Sequence, residues 1–298
     1  MYSIYQIFWL FLIYSVVGWI IEVAFVTLTT GHFVNRGFLN GPVCPIYGFG
    51  MMGVLFALEP VSDNLACLFL GGMVLCTAVE CFGGWALDQL FHMRWWDYSD
   101  KPFNFHGYVC LGYSVMWGIG VVLIVRVLHP LIFGVVRMVP QKVGMVPLVI
   151  CYVGFAVDLV VSLKTVIGIS KNLGELERIA RGLHQLGDEM STLVGTAVID
   201  TTEKLSEERE ELSQKTAELA EKNREERAQR RAELQEKITQ LEERSLTLQK
   251  RISGNRRILR AFPKLRRSSS RISLTEELLK LRERHKKEDN GEKHAEIL

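Results

Sequence analysis

Charge is what the first 170 residues lack: they carry 7 Lys/Arg and 8 Asp/Glu, whereas the remaining 128 carry 28 and 25. The averages therefore describe neither part, and a net charge of +2 with a mean hydropathy of +0.15 conceals an apolar half joined to a highly charged one. Cysteine is scarce as well. All six (Cys44, Cys67, Cys76, Cys81, Cys110, Cys151) lie in the apolar half, with neither a Cys-x-x-Cys pair nor the spacing of a zinc site, and read as small buried hydrophobes. The chain contains no Gly-x-x-x-x-Gly-Lys-Ser/Thr sequence, the loop whose backbone N–H groups cradle nucleotide phosphates, so it is not itself an ATPase of that type. The N-terminus has no basic segment ahead of its apolar run, and that run, Ile4 to Leu28, is too long for a signal peptide core; it reads as a retained membrane helix.

What is present is apolar length. A hydrocarbon core of roughly 30 Å takes about 20 helical residues, and five stretches qualify or nearly do: 4–29, 43–58, 65–91, 108–135 and 145–167. The expectation is an all-α fold, a polytopic transmembrane bundle of about five spans followed by a long cytoplasmic helical tail. Three parts follow: a transmembrane domain over 1–168, a charged helical or coiled-coil region over 169–252, and a basic, partly disordered tail over 253–298.

The second stretch starts inside the least regular part of the apolar half, Asn35-Arg36-Gly37-Phe38-Leu39-Asn40-Gly41-Pro42 continuing through Pro45 to Gly50. Its glycines permit backbone angles closed to other residues and its prolines remove donors, so it must turn or run irregularly. At membrane depth such backbone survives only when buried in protein or lining a cavity, which makes it the first candidate for a site. A second loop, Trp95 to Gly107, mixes interfacial rings with Asp97, Asp100 and Asn104. The spans themselves carry Glu22, Glu80, Asp88, Arg126 and Asp158, each of which needs a partner, water or a proton at a cost of roughly 2.5–3.5 kcal/mol on insertion scales. Glu22, Asn35, Arg36, Glu80, Asp97 and Asn104 are expected to line one polar cavity, with Arg36 as the counter-charge.

Taken together, Gly18-Trp19-Ile20-Ile21-Glu22, Asn35-Arg36-Gly37-Phe38-Leu39 with Gly41-Pro42 and Pro45-Ile46-Tyr47-Gly48, Glu80 with Gly83, and Trp96-Asp97-Tyr98-Ser99 with Phe103-Asn104, Gly107 and Cys110-Leu111 resemble one bacterial membrane family over about residues 1–165. It is the group described as putative ABC-transporter type IV, which is permease-like. The resemblance implies a transport role with ATP supplied by a separate nucleotide-binding subunit, and brings no assigned catalytic or ligand residues. No cofactor is predicted.

Past Lys164 the pattern becomes heptad-like: Leu176, Leu183, Met190 and Ala197, with Ile179, Leu186 and Leu193 offset by three. Asp200 with Glu203 resembles a capping box that restarts the helix. Leu205, Leu212 and Leu219 form a thin seam, and Leu234, Leu241 and Leu248 another; a single solvated helix and a coiled coil for oligomerisation or partner contact both fit. From Lys250 to Thr275 there are nine Lys/Arg and no acid, with disorder expected over about 253–272 and Ser273 with Glu276 capping a last helix. Arg256, Arg257, Arg260, Lys264, Arg266, Arg267 and Arg271 are expected to dock on an anionic inner leaflet, nucleic acid being the rival partner. Two other functions compete with transport. One is a lipid- or metal-dependent membrane enzyme using Asp88, His92, Asp97, Asp100 and His106; the other is an anchor or scaffold acting through the tail.

Lys/Arg flank alternate span ends unequally. Arg36, Arg94, Lys101, Lys164, Lys171, Arg178 and Arg181 fall on one side, against Arg126, Arg137 and Lys142 on the other. This places the protein in the bacterial inner membrane with the N-terminus outside and the tail in the cytoplasm. Reporter fusions after residue 62 and after residue 170 are expected to read outside and inside respectively; the reverse pattern would invert every assignment of sidedness.

Overall fold

The computed structural model describes residues 2–204, 213–268 and 276, including side chains except at 194–204 and 213–220. The chain divides into two compact units, Met1–Ser170 with Asn255–Leu298, and Lys171–Gly254.

In the first unit, helix α1 (Ile4–Thr30) opens on a capping box: the Ser3 hydroxyl accepts from the Gln6 N–H while the Gln6 side chain accepts from the Ser3 N–H. Gly31, at φ 73°, closes it by donating to the Thr27 carbonyl. Helix α2 (Pro45–Ala57) begins on a proline, whose missing N–H would be unpaired there anyway. Helix α3 (Leu65–Phe91) is capped by the Asn64 side chain and ends at His92, a left-handed residue. Helix α4 (Leu111–Leu123) passes through a π-helical turn, Ile124–Leu128, into α5 (His129–Met138). Pro130 accounts for the wide turn, since it cannot donate to the carbonyl of Arg126 four residues back and its ring would crowd that carbonyl. Helix α6 (Gln141–Lys204) runs on through Asp200 and Glu203 with no restart there.

Among the described residues, four helical runs are long and apolar enough to cross a membrane: Ile4–Thr30, Leu65–Phe91, Leu111–Met138 and a segment within Gln141–Leu193. The stretch expected as the second span is a helix of 13 residues, which at 1.5 Å per residue is about 20 Å long and falls short of a hydrocarbon core. Large apolar side chains such as Ile20, Phe25, Val74, Phe82, Ile119 and Ile150 are exposed along these helices, an arrangement that water penalises and lipid does not. The interior cluster of Leu10, Tyr14, Met51, Val54, Leu55, Leu68, Val121 and Val136 joins α1, α2, α3, α4 and α5.

Glycine sets how closely these helices approach. A Cβ on Gly18 would overlap the Tyr47 ring, and one on Gly48 would overlap the Ser15 hydroxyl and the Phe11 ring, so α1 and α2 meet almost backbone to backbone. Gly72 against Val121 and Gly118 against Phe69 do the same for α3 and α4.

At the other end of the bundle from Tyr2 and His129, short strands β1 (Met93–Arg94), β2 (Asn104–Phe105) and β3 (Val109–Cys110) follow α3. β2 and β3 pair as a hairpin, Asn104 opposite Cys110. Of the basic stretch expected to be disordered over about 253–272, residues 269–272 lie outside the described residues. The described part instead forms helix α8 (Arg256–Ala261) and strand β4 (Arg266–Arg267), which pairs antiparallel with β1, Met93 opposite Arg267. Ile258, Ala261 and Leu265 are buried beneath it, and Phe262 packs edge-on against Trp95 at 4.7 Å.

In the second unit, the later part of α6 pairs with helix α7 (Ser213–Gly254). Arg244 meets Glu175 at 2.5 Å, Leu241 lies against Gly182, and Arg230 reaches Glu189 at 4.0 Å. As one partner's number rises the other's falls, so the two helices are antiparallel. Leu173, Leu176, Ile179, Leu234, Leu248 and Ile252 are buried along this hairpin. Leu205 and Leu212 of the expected middle seam lie outside the described residues, as do Ser273 and the side chain of Leu219.

Substituting Gly18→Val or Gly48→Val forces an overlap that overpacking costs put at about 1–3 kcal/mol, whereas Gly154, with nothing within 4 Å of an added Cβ, tolerates Ala. Unfolding midpoints in detergent should fall for the first two variants and hold or rise for Gly154→Ala.

Candidate functional site

The irregular segment 32–44 is built by pairing its backbone groups one at a time. The Asn35 side chain donates to the Asn40 carbonyl at 2.7 Å and accepts from the Gly37 N–H at 3.1 Å, and its oxygen also takes the Trp19 indole N–H at 2.7 Å. Asp158 of α6 accepts from the N–H groups of Asn40 at 3.1 Å and Gly41 at 2.7 Å. The Cys44 N–H donates to the carbonyl of Ser15, near the middle of α1, at 2.9 Å. The carbonyls of Gly37, Phe38 and Leu39 accept from the Arg257 guanidinium at 2.9, 3.1 and 3.0 Å. The segment therefore runs back from the end of α1 to its midpoint, and α2 covers only the remaining half.

This return carries Arg36 and Tyr47 to Glu22. The Tyr47 hydroxyl donates to Glu22 at 2.7 Å and the Arg36 guanidinium pairs with its other oxygen at 3.2 Å, with both charged side chains about 30% exposed. The Tyr47 ring meets Trp117 of α4 edge-on at 5.6 Å, and the Trp117 indole N–H donates to Glu80 at 2.9 Å. Tyr98, from the loop after β1, donates to the other Glu80 oxygen at 3.1 Å. Glu80 is 9% exposed and, among the described residues, its partners are these two neutral donors with no cation. A buried carboxylate so placed needs a proton or a cation to balance it.

A second acidic group lies at the loop end. Asp88 accepts from the Tyr108 hydroxyl at 2.6 Å, pairs with Arg94 at 3.3 Å and takes the hydroxyl of Ser268. Asp97 accepts from the Ser99 hydroxyl at 2.6 Å and from two nitrogens of the Arg266 guanidinium at 3.0 and 2.8 Å. Burial pushes the Asp97 carboxyl up, but its hydrogen bonds from Ser99 and Arg266 outweigh this and hold it below the usual carboxylate range. Burial and the Glu80 charge push the Tyr98 hydroxyl up, so it stays a donor.

Of the six residues expected around one cavity, Glu22, Arg36 and Glu80 belong to the network at membrane depth, and Asp97 touches it through its neighbour Tyr98. Asn35 and Asn104 are turn builders; the Asn104 amide donates to the Lys101 carbonyl at 2.7 Å and accepts from the Gly107 N–H at 3.2 Å. The five residues proposed as metal ligands do not converge. His92 and His106 occupy left-handed backbone positions, Asp100 meets Lys264 at 3.7 Å, and among the described residues no three His, Cys, Asp or Glu are grouped as a metal would need. Of the basic residues, Arg257 and Arg266 face protein acceptors, Lys264 reaches the Asp97 carbonyl at 3.3 Å, and Arg267 stands in β4. Arg256 and Arg260 are exposed, and Arg271 lies outside the described residues.

Tyr47, Tyr98, Tyr108 and Trp117 carry much of this site, and ring composition alone reads as lipid-facing aromatics. At the other end of the bundle, His129 bridges the hydroxyls of Tyr2 at 3.0 Å and Tyr14 at 2.7 Å beside a cavity of about 260 Å³ that Glu59 and Arg126 also line.

Because Asp97 titrates below its unfolded value, the Arg266 contact contributes stability above about pH 3.9 and loses it as pH falls through the folded pKa. Hydrogen-exchange protection factors over 264–268 should be constant from pH 8 to about pH 5 and drop below about pH 4.

Neither a search of curated proteins nor a search of solved structures gave a match. A family model does match, over residues 9–163, a range holding α1 to α5, the irregular segment, both carboxylates of the network and the first part of α6. The chain thus belongs to the family described as putative ABC-transporter type IV.

Proposed function

We propose that this protein is the membrane-spanning, permease subunit of a transporter, working with a separate nucleotide-binding subunit. The observation that carries the reading is Glu80: a carboxylate buried at membrane depth, held by Tyr98 and Trp117 and linked through Tyr47 to the Arg36–Glu22 pair. Keeping a deeply buried acid ionised without a fixed cation costs several kcal/mol in a poorly hydrated place. Here the fixed cation serves Glu22, leaving Glu80 able to take a proton or a cationic group. The broken second span supports the same reading, since irregular backbone at mid-membrane is where transporters place binding groups. The orientation that goes with it has the N-terminus outside, the loop end and charged hairpin in the cytoplasm, and the bundle in the bacterial inner membrane. The hairpin's exposed charged faces then serve partner contact or self-association.

Affinity purification from native membranes after mild cross-linking should recover a subunit carrying the Gly-x-x-x-x-Gly-Lys-Ser/Thr loop, with ATPase activity in the complex. Glu80→Gln keeps the shape while removing the charge: the amide oxygen still accepts from Trp117 and the amide N–H faces the Tyr98 oxygen, reversing that one hydrogen bond. The variant should leave accumulation and assembly intact and reduce coupled ATPase turnover by about tenfold or more. Recovery of no ATP-binding subunit, or a Glu80→Gln complex with full turnover, would end the permease assignment.

A further inference from the structure

The groups that receive the side chains of Arg257, Lys264, Arg266 and Ser268 are acceptors. Arg257 enters a crown of three backbone carbonyls, those of Gly37, Phe38 and Leu39. Arg266 places two nitrogens on Asp97, Lys264 reaches the Asp97 carbonyl, and Ser268 donates through its hydroxyl to Asp88 and through its N–H to the His92 carbonyl at 3.2 Å. Three planar carbonyls and a carboxylate fit the guanidinium fork, which offers five donors in fixed directions, better than a point-like ammonium. Between the two arginines, Phe262 packs on Trp95 and Leu265 is buried, while β4 adds backbone pairing to β1. This is the pattern of a bound peptide: strand pairing for affinity, with side-chain seats for selection.

We propose that the surface formed by the Gly37–Leu39 carbonyls, β1 and Asp97 is a binding site for arginine-bearing basic peptide segments, and that residues 255–268 are its resident, displaceable occupant. The occupant is tethered, so it competes at an effective concentration in the millimolar range, and a peptide supplied in trans binds well only once the tethered copy is weakened. The site is joined to the membrane network by one residue: Tyr98 follows Asp97 in the chain, donates its hydroxyl to Glu80, and has its own N–H on the Gly107 carbonyl at 2.9 Å. Departure of the segment removes the Arg266 and Lys264 contacts from Asp97, the residue next to Tyr98. The binding site stands independently of whether the network transports anything.

The test titrates full-length protein in detergent with a fluorescently labelled synthetic peptide of residues 255–268. The variant Arg257→Gln/Arg266→Gln should bind this peptide at least about tenfold more tightly than the wild type. Adding Asp97→Asn to that variant should reverse the gain, and a peptide with lysine at positions 257 and 266 should bind about tenfold more weakly than the native one. Because Arg257 also pairs three carbonyls, Arg266→Gln alone, with size-exclusion profiles for every variant, separates a vacated site from an unfolded one. Equal binding to wild type and to a well-folded Arg266→Gln, or equal binding of the arginine and lysine peptides, would show that the segment is a fixed staple and overturn the proposal. Neither result touches ATPase turnover, so failure here is distinct from failure of the permease assignment.

Discussion

Every backbone N–H and C=O removed from water must find a partner, and in a bilayer a helix meets this demand from within itself. The segment from His32 to Cys44 cannot, and much of the first unit is arranged around that deficit. Asn35 serves the segment locally, Asp158 arrives from the last membrane helix, Ser15 offers a carbonyl already used within α1, and Arg257 comes from more than 200 residues away. Each unpaired group would cost on the order of 1–3 kcal/mol, so several long-range contacts are needed to hold one irregular turn. The glycines that let α1 and α2 touch serve the same end, because only close approach brings the Cys44 N–H to Ser15.

Once the segment is held, the polar network follows from it. Arg36 lies on the segment and Tyr47 just past it, so the turn that consumes Asp158 and Asn35 also sets the counter-charge and hydroxyl of Glu22. Glu80 sits on a regular helix and is positioned by rings instead: Trp117 from α4 and Tyr98 from the loop. An Arg-paired carboxylate beside one held by neutral donors makes an asymmetric pair, and asymmetry of this kind lets a site accept charge at one position while the other stays fixed.

Local chemistry was legible in the sequence; long-range pairing was not. Length and hydropathy give the helices, and Gly37, Gly41, Pro42 and Pro45 mark the irregular segment without any structure. The intramembrane acids announce themselves because so few residues of the apolar half are charged. A polar residue beside a membrane reads as function, whereas the Asn35 and Asn104 side chains each close a turn. The antiparallel partner of Leu176 and Ile179 could not be chosen, since a heptad pattern specifies an apolar face and not what covers it. The return of Arg257 and Arg266 left still less trace: a basic, serine-rich stretch has the composition of a solvated tail, and its acceptors are mostly carbonyls, which every sequence has.

The charged hairpin also has a topological consequence. Its helices are antiparallel, so the chain enters and leaves the second unit at the same end of the hairpin, and the first unit is built from two separate stretches of chain. The family match ends at residue 163, ahead of both the hairpin and the returning segment. The acceptors lie inside the match: the Gly37, Phe38 and Leu39 carbonyls, Asp88 and Asp97. Arg257, which donates to the carbonyls, Arg266, which pairs with Asp97, and Ser268, which donates to Asp88, lie outside it. A bundle made from the matched region alone would leave the three carbonyls without their guanidinium donor and Asp97 without its counter-charge, a surface to be completed by water or a cationic partner. In this chain the returning segment is that partner, so the same hydrogen bonds that complete the fold decide what else can reach its acidic end.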